Sequence, residues 1–140
     1  MRILGIDYGD SRVGVAVSDL LGITAQGLET IHHNGNDKIV LKRLEEIIKE
    51  KQVASIVIGM PYNMNGTESN RVEITRKFIH KLKCKFPQID IAEIDERLTT
   101  VAAHRTMNDL EIKKTKKRNI VDTISAVYIL EIYMNKNKKI

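Results

Sequence analysis

Three carboxylate positions could do chemistry. Asp7 lies in residues 2–8 (Arg-Ile-Leu-Gly-Ile-Asp-Tyr), an apolar run, with Gly5 and Gly9 two places to either side. A carboxylate there is costly unless it is paired or binds a metal. No lysine or arginine falls beside it at strand spacing. The glycines permit close approach of a ligand or a second backbone. Read without a metal, Asp7 is a strand-end acid accepting turn hydrogen bonds from Gly9 and Asp10. The second position is the pair Asp95-Glu96, where a strand is expected to end, the place at which open sheets hold ligands. On its own, such a pair reads as a solvated loop. The third is Asp122, which suits the dipole at the start of a helix. It also shares a helical face with Ser125, Ala126 and Ile129, a mixture of small and apolar residues that suits packing on a sheet.

Taken together, Asp7, Asp95, Glu96 and Asp122 are candidate metal ligands. Phosphoryl transfer with two cations needs several carboxylates converging on ions about 4 Å apart, which activate a water and stabilise the leaving oxygen. Hard oxygen donors select Mg²⁺ or Mn²⁺. The sequence has no histidine pair at zinc spacing, no CxxC and no GxxxxGK[ST] phosphate loop. His32, His33, His80 and His104 are scattered, and each reads as a surface or packing residue.

The elements that must position these acids follow from periodicity. Residues 2–8 predict a central strand, apolar on both faces. Val13, Val15 and Val17 alternate at period two and predict a second strand over 12–18. A third is expected within Ile23–Ile31. Short connections make the three antiparallel neighbours. Residues 32–36 predict a loop, and Asp37 is the expected cap of a helix carrying Val40, Leu44, Ile47 and Ile48. A buried strand over Val53–Ile58 ends at Gly59-Met60-Pro61. After a polar loop at Asn63–Gly66, a helix presents Ile74, Phe78, Ile79 and Leu82. Ile89–Ile94 is the fifth strand, Thr99 or Thr100 caps a third helix, and a last helix covers about 119–134. The expected fold class is therefore α/β: a five-stranded mixed sheet, three antiparallel strands followed by two parallel crossovers, flanked by helices.

At 140 residues the chain has the size of one domain, 1–140. Its hydrophobic share, 42%, suffices for a core without staples. The one cysteine, Cys84, excludes an intrachain disulfide. No apolar stretch has the length of a signal-peptide core or a membrane span. The expectation is a soluble, cytoplasmic protein with no membrane partner. The net charge of +5 points to a polyanionic partner. It is concentrated at residues 113–118, Lys-Lys-Thr-Lys-Lys-Arg. Aromatics are only 4%, so backbone contacts rather than base stacking should supply affinity.

The motifs resemble those of the YqgF family, also called RuvX-like or Holliday junction resolvase-like proteins. Residues 7–19 (Asp-Tyr-Gly-Asp-Ser-Arg-Val-Gly-Val-Ala-Val-Ser-Asp) match its first signature, and Gly59-Met60-Pro61 with Gly66 matches the second. Residues 95–100 (Asp-Glu-Arg-Leu-Thr-Thr) match the third, and Asp122 followed by residues 125–130 matches the fourth. Ser125 and Glu131 stand where family members often carry alanine and glutamine. Gly59-Met60-Pro61 stands where many ribonuclease H-like nucleases place a glutamate. The resemblance implies a ribonuclease H-like fold and catalytic acids at Asp7, within Asp95-Glu96 (Glu96 favoured) and at Asp122. It implies a metal-dependent nuclease that matures pre-16S ribosomal RNA, with pre-ribosomal particles as partners. The alternative is resolution of Holliday junctions in DNA. In that setting Arg12, Arg97, Lys113, Lys114, Lys116, Lys117 and Arg118 are candidates to bind nucleic-acid phosphates. Two readings of other classes compete. An ATP-binding module of the actin and sugar-kinase type needs a second domain, for which the chain is too short. A non-catalytic RNA-binding assembly factor would leave the acids without metal.

Overall fold

The computed structural model describes residues 1–63, 65–98 and 114–137, with the backbone alone at 98, 114–122 and 137. The elements are β1 (Arg2–Tyr8), β2 (Arg12–Ser18), β3 (Ala25–His32), α1 (Asp37–Lys51), β4 (Val53–Met60), α2 (Asn70–Lys85), β5 (Asp90–Asp95), a 3-10 turn (Glu96–Leu98) and α3 (Lys114–Asn137). The strands lie in the order β3-β2-β1-β4-β5. β1 pairs antiparallel with β2, and β2 with β3, while β4 runs parallel to both β1 and β5. This is the mixed sheet the periodicity predicts.

Helices cover both faces. On one, Leu4, Ile6 and Tyr8 of β1 join Val13, Val15, Ile56 and Ile58 against Val40, Leu44 and Ile47 of α1 and Phe78 and Leu82 of α2. On the other, Ala16, Val57 and Ile94 meet Ala126, Ile129, Leu130 and Met134 of α3. Alternation along β1 assigns Ile3, Gly5 and Asp7 to this second face. Helix α3 lies very close to the sheet there. A Cβ on Gly5 would meet the Ala126 carbonyl oxygen at 2.8 Å and Leu130 Cβ at 2.9 Å. One on Gly59 would meet Ile129 Cδ1 at 2.6 Å.

Several boundaries differ from the sequence expectation, each for a local reason. Asn36, not Asp37, caps α1, its side chain accepting from the Lys38 N–H. The Asp37 carboxylate is held elsewhere, by the Tyr8 hydroxyl and the Lys81 ammonium. β4 continues through Gly59 and Met60, which pair with Ile94 and Asp95, and stops only at Pro61. His32 belongs to β3, opposite Arg12. In α2, Ile74 is exposed and Thr75 is buried in its stead. Thr75 can be buried because its hydroxyl donates to the Arg71 carbonyl of the same helix, at 2.7 Å. Helix α3 spans Lys114–Asn137, so residues 114–118 of the basic run are helical, ahead of the expected start near 119; lysine and arginine are good helix formers. The helix expected after Thr99 or Thr100 lies outside the described residues.

Replacing Gly5 by alanine should destabilise the fold. The added methyl meets backbone, and overpacking of this kind costs about 1–3 kcal/mol. The loss of unfolded-state entropy returns only about 0.4–1 kcal/mol. A lower urea midpoint at unchanged slope is the expected result.

Candidate active site

Asp7, the first residue of the first signature, sits one residue from the end of β1. It faces Gly14 across the β1–β2 ladder, so no bulky cross-strand neighbour crowds it. The register of β1 and β4 ends at Ile6 and Ile58. Continued by one residue, that register sets Asp7 beside Gly59, each the penultimate residue of its strand. Gly59 in turn pairs with Ile94 of β5, two residues before Glu96. The position a Cβ would take on Gly59 is 3.3 Å from Glu96 Cγ, which puts Glu96 on the α3 face. Adjacent strands are about 4.8 Å apart. Asp7, on β1, and Glu96, just past β5, thus lie to either side of Gly59, on strands about 10 Å apart at the backbone.

Asp95 and Glu96 are adjacent in sequence but separate in space. Ile94 packs on the α3 face, so alternation sends Asp95 to the opposite face. There its carboxylate takes the Arg97 guanidinium in a fork, Nε at 3.0 and 2.9 Å from the two oxygens and Nη2 on Oδ2. The Arg97 backbone N–H adds a third donor at 3.0 Å. These hydrogen bonds hold the Asp95 carboxyl below the usual carboxylate range. The Arg97 guanidinium lies over the Tyr62 ring, 6.0 Å from its centroid, and close beside Gly66. The second motif, around Gly59 and Gly66, therefore meets the third at both Glu96 and Arg97.

Asp122 is placed through the backbone of α3. Ala126, one turn later, lies on Gly5, and Met134, farther along, is beside Thr24 and Ala25, near the start of β3. Because Ala25 pairs with Ser18, which bonds to Ile3, α3 runs back along β1 from its carboxyl end toward its start. Position 122 therefore lies on the Asp7 side of Gly5. It is eight residues past Lys114, beyond the first turn to which the helix dipole is confined. Its side chain is outside the described set.

Asp7 and Glu96 are hard oxygen donors on one face, and they fit Mg²⁺ or Mn²⁺ better than a soft metal. Oε2 of Glu96 is buried, a setting in which an anionic oxygen suits an approaching cation. Among the described residues no three potential ligands converge, so a complete ligand set would have to draw on Asp122 or other positions beyond them.

Of the residues expected to bind phosphates, Arg12 opens β2 at the same end as Asp7, its carbonyl accepting from the Gly9 N–H at 2.8 Å. Lys114, Lys116, Lys117 and Arg118 line the first two turns of α3 by backbone position, and Lys113 is outside the described residues. Arg97 is engaged by Asp95. No helix among the described residues is long and apolar enough to cross a membrane.

One group behind the site escaped sequence reasoning. Tyr8, next to Asp7, stacks between Phe78 (centroids 4.2 Å apart) and His33 (5.6 Å). Its hydroxyl donates to Asp37 Oδ1 at 2.6 Å, and Lys81 Nζ donates to Oδ2 at 2.9 Å. Burial, then Asp37, raises the Tyr8 hydroxyl far above its ordinary pKa, so it stays a donor. His33 is 1% exposed. An exposed-looking His-His-Asn-Gly stretch gives no sign of this burial. The one available signal is that Tyr8 directly follows the strand acid.

The family model described as "RuvX: Holliday junction resolvase" matches residues 1–136. A protein of Ruminiclostridium cellulolyticum named "Putative pre-16S rRNA nuclease" is 58% identical, over 99% of this chain and 99% of its own length. One of the same name from Acetivibrio thermocellus is 50% identical over 100% and 99%. Among solved structures, Thermus thermophilus RuvC in complex with a Holliday junction substrate superposes with a TM-score of 0.58, over 98% of this chain and 96% of that one. At 13% identity that likeness shows a shared fold. By the family match and by relatives of this identity over the full length, the chain belongs to the RuvX family.

Proposed function

We propose that this protein is a metal-dependent nuclease that cleaves phosphodiester bonds in maturing pre-16S ribosomal RNA, with Asp7, Glu96 and Asp122 as its catalytic carboxylates. The observation that supports the reading is that Glu96 Cγ lies beside Gly59 on the face packed by α3, the helix that bears Asp122, and alternation along β1 assigns Asp7 to the same face. The names of the full-length relatives supply the substrate. Bound Mg²⁺ or Mn²⁺ would lower the pKa of an attacking water and stabilise the leaving oxygen. Glu96 is preferred to Asp95 as ligand because Asp95 points to the other face and is spent on Arg97. Asp95 instead orders Arg97, and Arg97, Arg12 and the basic first turns of α3 supply positive charge around the site. Lys113, the residue before Lys114 in the sequence, is included among the proposed phosphate-binding residues. Contacts of this kind grip the backbone without reading sequence. Pre-ribosomal particles in the cytoplasm are the setting such a substrate requires.

A second reading, resolution of four-way DNA junctions, is favoured by the family's description. One assay separates them. Labelled pre-16S rRNA fragment, single-stranded RNA and a four-way DNA junction are incubated with Mg²⁺, Mn²⁺ or EDTA. Cleavage of the rRNA fragment, lost in EDTA, is expected; preference for the junction would reverse the assignment. Asp7→Asn, Glu96→Gln and Asp122→Asn should each lose at least about a hundredfold in rate, the scale for removing a group acting directly on the transition state. Asp95→Asn should keep most activity. Wild-type cleavage by Asp7→Asn sinks the carboxylate mechanism. Binding of RNA without cleavage by the wild type would leave an assembly factor.

Affinity should fall steeply with salt. Each phosphate contact on a single strand contributes about −0.7 to the slope of log K against log salt. The double variant Lys116→Gln/Lys117→Gln should flatten that slope by up to about 1.4 across unrelated sequences. An unchanged slope would remove the start of α3 from the interface.

A further inference from the structure

We infer that His33, together with Tyr8, positions the carboxylate of Asp7 from the opposite face of the sheet, an inference that rests on the reading of Asp7 given above. Neither residue would touch the metal or the substrate. Tyr8 and Gly9 are the two residues that follow Asp7, and each is held by a side chain.

Gly9 is held by His33. Its carbonyl oxygen is 2.9 Å from His33 Nε2. The other ring nitrogen, Nδ1, accepts from the Gly35 N–H at 3.0 Å. A nitrogen that accepts has no proton, so the neutral ring carries its proton on Nε2 and donates it to Gly9. The backbone of the same segment reinforces the hold: His33 N–H and Asn34 N–H both donate to the Ser11 carbonyl, at 2.9 and 3.3 Å. The turn from Asp7 to Arg12 is thereby tied to residues 33–35 at Gly9 and at Ser11.

Tyr8 is held by its ring and its hydroxyl. The ring is fixed between His33 and Phe78, and the hydroxyl is fixed by Asp37, itself only 15% exposed and bound to Lys81. With Tyr8 pinned on one face, alternation directs Asp7 to the other. A metal ligand works only if it is held to within a fraction of an ångström, and partners that orient ligands commonly set metal affinity. Both residues after Asp7 are therefore locked to α1, α2 and the loop that precedes α1, leaving the acid little freedom to swing out of the α3 face.

The test uses the full chain with Mn²⁺ as probe. Free Mn²⁺ is followed by electron paramagnetic resonance, and cleavage of the labelled rRNA fragment is measured against Mn²⁺ concentration. Two substitutions divide the imidazole's roles. His33→Gln can still place an N–H on the Gly9 carbonyl; His33→Asn can still accept from Gly35 but is too short for Gly9. Each forfeits one hydrogen bond, so their thermal midpoints should fall alike. Mn²⁺ affinity should fall about 10–100-fold in His33→Asn, the range for losing an orienting partner. The Mn²⁺ needed for half-maximal cleavage should rise in step, while His33→Gln stays near wild type. Wild-type Mn²⁺ affinity in His33→Asn, or equal loss in both variants, overturns the proposal. If His33→Asn does not fold, Tyr8→Phe carries the test. It keeps the stack and drops the bond to Asp37, and should also bind Mn²⁺ more weakly; unchanged affinity there overturns the proposal equally. Asp7→Asn separates the two levels. If it binds Mn²⁺ and cleaves as wild type, the reading of Asp7 falls. If it loses both while His33→Asn does not, only the positioning role falls.

Discussion

The close approach of α3 to the sheet is the constraint from which the rest follows. Helices usually stand off a sheet by the length of their side chains. Here Gly5 and Gly59 remove those side chains at the centre of the contact, and the backbone of α3 comes to rest almost directly on β1. The gain is dispersion and apolar burial by Ala126, Ile129 and Leu130, all fully buried. It also has a geometric consequence: a helix this close brings position 122 down to the level of the strand ends. The same bare Gly59 that admits Ile129 also gives Glu96 its place.

The two faces of the sheet divide the labour. The α1 and α2 side holds the larger apolar cluster and the polar group around Tyr8, His33 and Asp37. The α3 side carries a smaller cluster and the carboxylates Asp7 and Glu96. β1 belongs to both, and alternation along it puts the structural Tyr8 and the acidic Asp7 back to back. At β5 the same rule separates Asp95 from Glu96. Asp95 turns its charge onto Arg97, an arrangement satisfied within the protein. Glu96 turns to the α3 face, beside Gly59.

Much of this was legible in the sequence because two periods, 2 and about 3.6, fix which residues share a face. They gave five strands, the pairing of the first three and the crossovers through α1 and α2. The failures were local. Asn36 outcompeted Asp37 for the cap because Asp37 is held by partners distant in sequence, Tyr8 and Lys81. Thr75 replaced Ile74 in the core because its hydroxyl bonds within its own helix. The basic run at 114–118 became helix because propensity does not penalise its lysines.

By itself the sequence determined the order of the described elements, the candidate acids and the family resemblance, since these reside in residue types and short spacings. Only the tertiary structure decided that Asp95 and Glu96 part company, that Glu96 lies beside Gly59, and that His33 is buried on the turn beside Asp7. Each of these depends on register between strands far apart in the chain. Register is set by the packing of whole faces, and no local pattern encodes it.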